Sequence, residues 1–335
     1  MIFMTAIAAT PARGPHFAGP GAWFRGNLHC HTTESDGNVS PSDAAAGFAN
    51  LGYDFLAITD HDRITDPATV DAHGLCLIPS VELTASAGLL GTEFHILGIG
   101  IDPSTVLPSR TSPGRVSSAW LRNQGAAVFA AHPHWSGLTV DDLMGLTIDG
   151  IEACNGGTNL DSLKGEAFTH WDEGLLRGAS WTGLGTDDTH WHTLDRGTAW
   201  VMVRANERTP GALVSAIKAG NFYGTTGPAI NDVHLEFVDD GRVLKVHVHT
   251  SPVAAMYLSG PGARSRHTFH ETASGITSVT EVDPARMSIT SHTFEVDLTV
   301  SGPARYAGRG TGQRHIRVSC MDWNRARAWS NPLFF

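Results

Sequence analysis

The sequence predicts an α/β fold: a β/α barrel over residues 23–228, then a small antiparallel β domain, read as a sandwich, over residues 229–335. Residues 1–22 are read as an N-terminal tail. Two observations predict this. Short apolar strands alternate with punctuated helices from Trp23 to about Ala229, and about seven such units in roughly 200 residues favour a barrel over an open sheet. Beyond Gly227-Pro228 the helix signals thin out, and apolar runs separated by turn residues take over.

The elements follow in order. Residues 27–31 are strand-like. Ser40-Pro41 supplies an N-cap and a proline at the first helical position, and Gly52 closes that helix. Residues 55–59 form a buried strand, and residues 75–79 and 94–98 form two more. Ser112-Pro113 opens a helix that Gly125 ends. Residues 126–131 and 150–153 are strands, a helix spans 161–177, and residues 181–186 complete the seven. Thr209-Pro210 caps a last helix that stops at Gly220. Residues 234–238 and 243–249 then flank Asp239-Asp240-Gly241, a hairpin signal, and residues 256–258, 293–300 and 315–320 are further strands.

Composition narrows the function. The chain has 335 residues, 41% hydrophobic and 17% charged, an ordinary globular balance. A net charge of −10 argues against nucleic acid as the main partner, since phosphate contacts need clustered Lys and Arg. No apolar run approaches the ~20 residues that span a bilayer. The N-terminus lacks a basic region ahead of its short apolar stretch, unlike a signal peptide. Cys30, Cys76, Cys154 and Cys320 share no C-x-x-C spacing, which fits a reducing, cytoplasmic setting. A small-molecule substrate is therefore expected. The chain also carries 18 histidines, the commonest metal-ligating residue.

Their positions carry the chemistry. In a strand, residues i and i+2 share a face, so His29 and His31 can reach one metal while Cys30 points away. Asp36 lies in the polar turn above them. Thr59-Asp60-His61-Asp62, Glu82, Glu93-Phe94-His95, Ala131-His132-Pro133-His134 and Asp187-Asp188-Thr189-His190 fall at or near other strand ends. Packing does not explain six such clusters, because unpartnered buried charges cost several kcal/mol each. Metal ions are natural partners, and nitrogen and oxygen donors without thiolates suit zinc, manganese or iron better than calcium.

These motifs resemble those of the PHP family, named for polymerase and histidinol phosphatase. They stand here as His29-x-His31, Thr59-Asp60-His61-Asp62, Glu82, His132-Pro133 and Asp188-x-His190. Residues 26–32, 52–61, 223–228 and 328–332 are similar to the branch that includes carbaryl-type hydrolases. The resemblance implies a distorted seven-unit β/α barrel with two or three divalent ions. One would be bound by His29, His31, Glu82 and Asp188. A second would be bound by Glu82, His95 and His132, with Glu82 bridging. A third would be bound by Asp36, His61 and His190. Asp187 competes with Asp188, and the D-x-H spacing to His190 favours Asp188.

A metal-activated water would then attack phosphorus or a carbonyl carbon. Asp188 and His190 are the expected catalytic residues, joined by His134 as a group that orients substrate or donates a proton. No G-x-S-x-G elbow or phosphate-binding glycine loop suggests another route. The leading expectation is a phosphoesterase. A carbamate or carboxylic ester hydrolase is the alternative, favoured by a pocket walled by tryptophans without Lys or Arg. A catalytically silent metal-binding module, whose β domain recognises a carbohydrate or protein, is a reading of another class. The β domain is also a candidate homo-oligomer interface.

Other residues have plainer readings. Asp60 and Asp62 read as partners that orient a histidine, not as direct ligands. Asn155, Lys164, Arg196 and His192 could hold an anionic group, but the charged pair more often sits in solvent. His247-Val248-His249 is a second H-x-H without a matching set of carboxylates. Trp120, Trp135, Trp171, Trp181 and Trp191 serve the core or the rim of a pocket. Cys30 and Cys154 read as small core residues.

Overall fold

Apolar strands dictate the framework of the computed structural model, which describes residues 17, 20–86, 88–260, 266–269, 278–283, 288–298 and 315–335. Most of the expected tail, and residues 299–300 of one expected strand, lie outside these. The first part of the chain contains β1 (Ala22–Asn27), α1 (Pro41–Asn50), β2 (Phe55–Ile58), β3 (Cys76–Ala85), β4 (Phe94–Ile99), α2 (Gly114–Asn123) and β5 (Ala127–Ala130). It continues through α3 (Val140–Met144), β6 (Gly150–Asn155), α4 (Gly156–Ser162), α5 (Phe168–Leu176), β7 (Thr182–Thr186), β8 (Trp200–Ala205), α6 (Pro210–Lys218) and β9 (Phe222–Thr225).

The helix punctuation acts as the residues suggest. Ser40 Oγ accepts from Asp43 N with Pro41 at the helix start, and Thr209 and Pro210 do the same for α6. The expected helix over 161–177 is two helices instead. Leu163 turns left-handed at φ 58° and ends α4, because the chain must double back before α5.

Strands β1, β2 and β3 pair in parallel, as do β5, β6 and β7. β4 departs from the parallel expectation and runs antiparallel to both β3 and β5. Only residues 86–93 link β3 to β4, too few for a crossover that carries a helix. This places Thr84 opposite His95, so the start of β4 sits beside the end of β3. Beyond β7, Thr189 forms a parallel bridge to Cys30. His31 N–H donates to Thr189 O and Asp188 N–H to His29 O, each at 3.0 Å. The outer strands of the array therefore meet where the histidines lie. Phe55, Ile78, Leu97, Phe129 and Leu184 come from five strands and share one apolar cluster. Their neighbour Leu56 packs outward with Ala44, Ala45 and Phe48 of α1.

The later strands are β10 (Ile230–Val238), β11 (Val243–Val253), β12 (Ala255–Ser259), β13 (Arg266–Phe269), β14 (Ser278–Asp283), β15 (Ser288–Asp297), β16 (His315–Met321), β17 (Arg327–Ser330) and β18 (Leu333–Phe334). β10, β11, β15 and β14 form a separate antiparallel sheet. β17 pairs with β9, which pairs with β8, and β8 pairs with β1. The sequence reading had no strand at β8 or β9. Through them one mixed sheet runs from the first part of the chain into the last. Leu244, Val246 and Phe294 of the separate sheet share a core with Met256, Leu258, Ile316 and Val318 of the long one. Among the described residues no helix is long and apolar enough to cross a membrane.

Candidate metal centre

The strand ends deliver their polar side chains to one place. His29 and His31 follow β1, His61 follows β2, Glu82 lies in β3, His95 opens β4, His132 follows β5, and Asp188 and His190 follow β7. Glu82 is fully buried at the centre.

Four donor atoms form the inner group. His29 Nε2 lies 3.1 Å from His31 Nε2, and each lies 3.1 Å from Glu82 Oε2 and from Asp188 Oδ1. A tetrahedral ion with bonds of roughly 2.0–2.1 Å needs donors about 3.3 Å apart, so these spacings fit a small divalent cation. Asp188 Oδ1 is buried and accepts no hydrogen bond among the described residues. Glu82 Oε1 turns the other way, 3.1 Å from His95 Nδ1 and 3.2 Å from His132 Nε2. Nearer the opening, Asp36 Oδ2 stands 3.6 Å from His61 Nε2 and 3.5 Å from His190 Nε2. The structure thus brings together all nine candidate ligands.

The supporting contacts point the rings inward. Glu152 Oε1 lies 2.6 Å from His29 Nδ1, and the Asp188 carbonyl lies 3.0 Å from His190 Nδ1. Each acceptor holds the proton on Nδ1 and leaves Nε2 with a lone pair for a cation. Glu152 had no assigned role in the sequence reading. Its signal was an acidic residue inside the otherwise apolar run Gly150-Ile151-Glu152-Ala153-Cys154. Its Oε1 also accepts from Thr186 Oγ1, and its Oε2 accepts from His132 N and Asn155 Nδ2. Asn155 also donates to Asp188 Oδ2 and caps α4, so it does not serve as the anion holder considered above.

Asp60 and Asp62 meet no histidine ring among the described contacts. Asp60 accepts from Thr32 N, Thr32 Oγ1, Ser35 Oγ and Thr65 Oγ1, and so fixes the loop that carries Asp36. Asp62 pairs with Arg110 at 2.6 Å. Asp187 accepts from Asn27 Nδ2 and from the backbone of Gly197, Thr198 and Ala199. It anchors a loop and leaves the cluster to Asp188. Trp191 Nε1 donates to His31 O at 3.1 Å. Gly37 lies against the same backbone, where a Cβ would come within 2.5 Å of the His31 carbonyl. His132 and Asp188 adopt φ of 26° and 52°, a left-handed region that non-glycine residues occupy at a cost of about 1–3 kcal/mol.

The electrostatics show what the cluster wants. Burial alone would raise the Glu82 carboxyl, but the facing His29, His95 and His132 hold it well below the usual carboxylate range. Burial would lower His31, yet Asp188 and Glu82 outweigh it and push it up to about 9. His29 moves the same way, against burial, through Asp188, Glu152 and Glu82. A divalent cation held here would supply the positive charge that these carboxylates otherwise draw from protons.

The cluster opens into a cavity of about 370 Å³ that reaches Trp135, Asp161, His192 and Asp195. No Lys or Arg lines it among the described residues. Lys164 is exposed, and Arg196 lies over the Trp191 ring, 5.3 Å from its centroid. His134 is not among the lining residues, and its Nδ1 lies 3.1 Å from Glu166 O. His247 faces Thr293 and Glu236 on the separate sheet, and no described group of potential metal donors includes it. Trp171 is fully buried, while Cys30 and Cys154 are buried and free.

No family model matches the chain. A 5'-3' exoribonuclease of Haemophilus influenzae is 39% identical over 80 residues, covering 23% of this chain and 28% of that protein. A 3',5'-nucleoside bisphosphate phosphatase of Chromobacterium violaceum is 34% identical over 82 residues, with the same shares. The chain therefore spans 28% of the length of these two curated relatives. Among solved structures, a two-domain protein containing a predicted PHP-like metal-dependent phosphoesterase, from Bacteroides vulgatus, matches 94% of this chain and 95% of its own. Its TM-score is 0.44 and its identity 14%. An amidohydrolase of Chromobacterium violaceum with bound sulfate covers 49% of this chain and 87% of its own, with a TM-score of 0.40 and 17% identity.

Proposed function

We propose that the chain is a metal-dependent phosphoesterase that works with two or three divalent ions, zinc, manganese or iron, on a small-molecule substrate. The observation that carries this reading is the inner cage of His29, His31, Glu82 and Asp188, with donors 3.1 Å apart and a buried Asp188 oxygen left without a hydrogen bond. Two relatives sharing 23% of the chain, an exoribonuclease and a bisphosphate phosphatase, support a phosphoester substrate by their names. The cavity volume suits a small ligand. The Cys30–Thr189 bridge supports reading β1–β7 as a closed, distorted barrel, with the separate sheet and its facing strands as an appended β domain.

Bound divalent ions supply water activation and charge neutralisation for phosphoryl transfer. Glu82, with one oxygen towards His29 and His31 and the other towards His95 and His132, would bridge two of them. Asp36, His61 and His190 would hold a third ion nearer the opening. Asp188 directs Oδ1 into the inner cage while Asn155 holds its Oδ2. Glu152 keeps the His29 proton on Nδ1 and away from the cage.

The absence of Lys and Arg from the described lining favours a second reading, hydrolysis of a neutral carbamate or carboxylic ester. A rate screen separates the two. After loading with zinc, manganese or iron, the protein is offered p-nitrophenyl phosphate, bis(p-nitrophenyl) phosphate and a naphthyl carbamate. Turnover of a phosphate ester that stops on chelation is expected. Turnover of the carbamate alone would overturn the phosphoester reading.

A further inference from the structure

The cavity differs on its two sides. Its floor is the metal cluster, and its opening carries Trp135, 45% exposed. The indole meets the His132 ring edge to face at 5.0 Å between centroids and lies 6.3 Å from His95. It therefore stands directly beside two ligands of the cluster. Trp323 is also half exposed, but among the tryptophans only Trp135 is a described lining residue of the cavity.

The carboxylates of Asp36 and Asp161 line the cavity beside His190 and His192, and no described Lys or Arg lines it. A flat aromatic group would gain from packing on the indole, and no described Lys or Arg of the lining is placed to bind a second phosphate.

We infer that Trp135 sets substrate class: it stacks on a planar, uncharged aromatic ring carried by an ester with a single phosphoryl group. This rests on the phosphoesterase reading. In this role the cluster takes the phosphoryl oxygens, and Trp135 takes the organic part. Because stacking depends on flatness as well as apolarity, a ring of equal size that is not flat gains less.

Calorimetric titration of the zinc-loaded protein tests this without turnover. The ligands are inorganic phosphate, phenylphosphonate and cyclohexylphosphonate. The wild type should bind phenylphosphonate about tenfold more tightly than cyclohexylphosphonate. Trp135→Ala should bring that ratio near one while keeping wild-type zinc content and phosphate affinity. Trp135→Phe should retain part of the preference. Binding of both phosphonates without preference in the wild type would overturn the inference and leave the phosphoesterase reading standing. Equal loss of all three ligands in Trp135→Ala would also overturn it, since the indole would then act only by supporting His132. Failure of all three ligands to bind the zinc-loaded wild type would remove both the inference and the reading beneath it.

Discussion

Replacing Glu152 with glutamine should weaken metal binding without unfolding the protein. The carboxylate is fully buried and accepts four hydrogen bonds, two on each oxygen. His29 Nδ1 and Thr186 Oγ1 approach Oε1 at 2.6 Å each, and His132 N and Asn155 Nδ2 approach Oε2 at 2.7 and 2.8 Å. All four are donors, so a glutamine amide must turn its NH2 towards two of them in either orientation. One donor pair then loses its acceptor, at a cost of about 1–3 kcal/mol of stability. If the lost acceptor is that of His29, the proton can shift to Nε2 and close the inner cage to a cation. Loss of such a histidine partner typically lowers metal affinity 10–100-fold, or about 1.4–2.7 kcal/mol. The assay is a competition titration of zinc against a chromophoric chelator, paired with urea unfolding of the metal-free protein. Metal affinity within about twofold of the wild type, in a folded variant, would refute the argument that Glu152 fixes the His29 proton.

Further outcomes follow from other parts of the site and fold. Asp188→Ala and His31→Ala should each lower bound metal and abolish hydrolysis while circular dichroism stays native; full activity in either would remove the mechanism. His247→Ala should leave metal content and rate unchanged, because its ring serves Thr293 and Glu236 instead of the cluster. Gly37→Ala should push the Asp36 loop off the His31 backbone, and elemental analysis should show loss of the metal nearest the opening before the inner ones. In β15, His292 is 1% exposed, and burial pushes its pKa down from 6.5 to about 4. Its folded-state pKa lies below the unfolded one, so protonation favours the unfolded chain. Its effect on stability is absent above about pH 6.5 and grows as pH falls towards 4. His292→Leu should flatten that part of the urea-midpoint profile, and an unchanged slope would refute the assignment.

Residues whose spacing carries geometry were legible in the sequence. The i, i+2 pattern of His29 and His31 and the helix caps at Ser40 and Thr209 are local features, and local chemistry decides them. The reversal of β4 was not legible from the apolar pattern, since a short strand reads alike in either direction. It depended on the short 86–93 link, and it explains how His95 reaches Glu82 from the start of a strand. β8 and β9 pair with each other, and their further pairing with β1 and β17, far along the chain, leaves no local signal. The role of Glu152 and the anchoring role of Asp187 were hidden for a related reason. A buried carboxylate that accepts from neighbours shows no motif until the neighbours are in place. Asp60 illustrates the opposite error: its place beside His61 suggested a ring partner, whereas folding turns it towards Thr32, Ser35 and Thr65.

We propose that these histidines and carboxylates hold metal. Elemental analysis of the purified protein, before and after reconstitution with zinc, manganese or iron, tests it most directly. Two or three equivalents per chain, falling in Asp188→Ala, are expected. A folded protein that holds no divalent ion even after reconstitution would contradict the account.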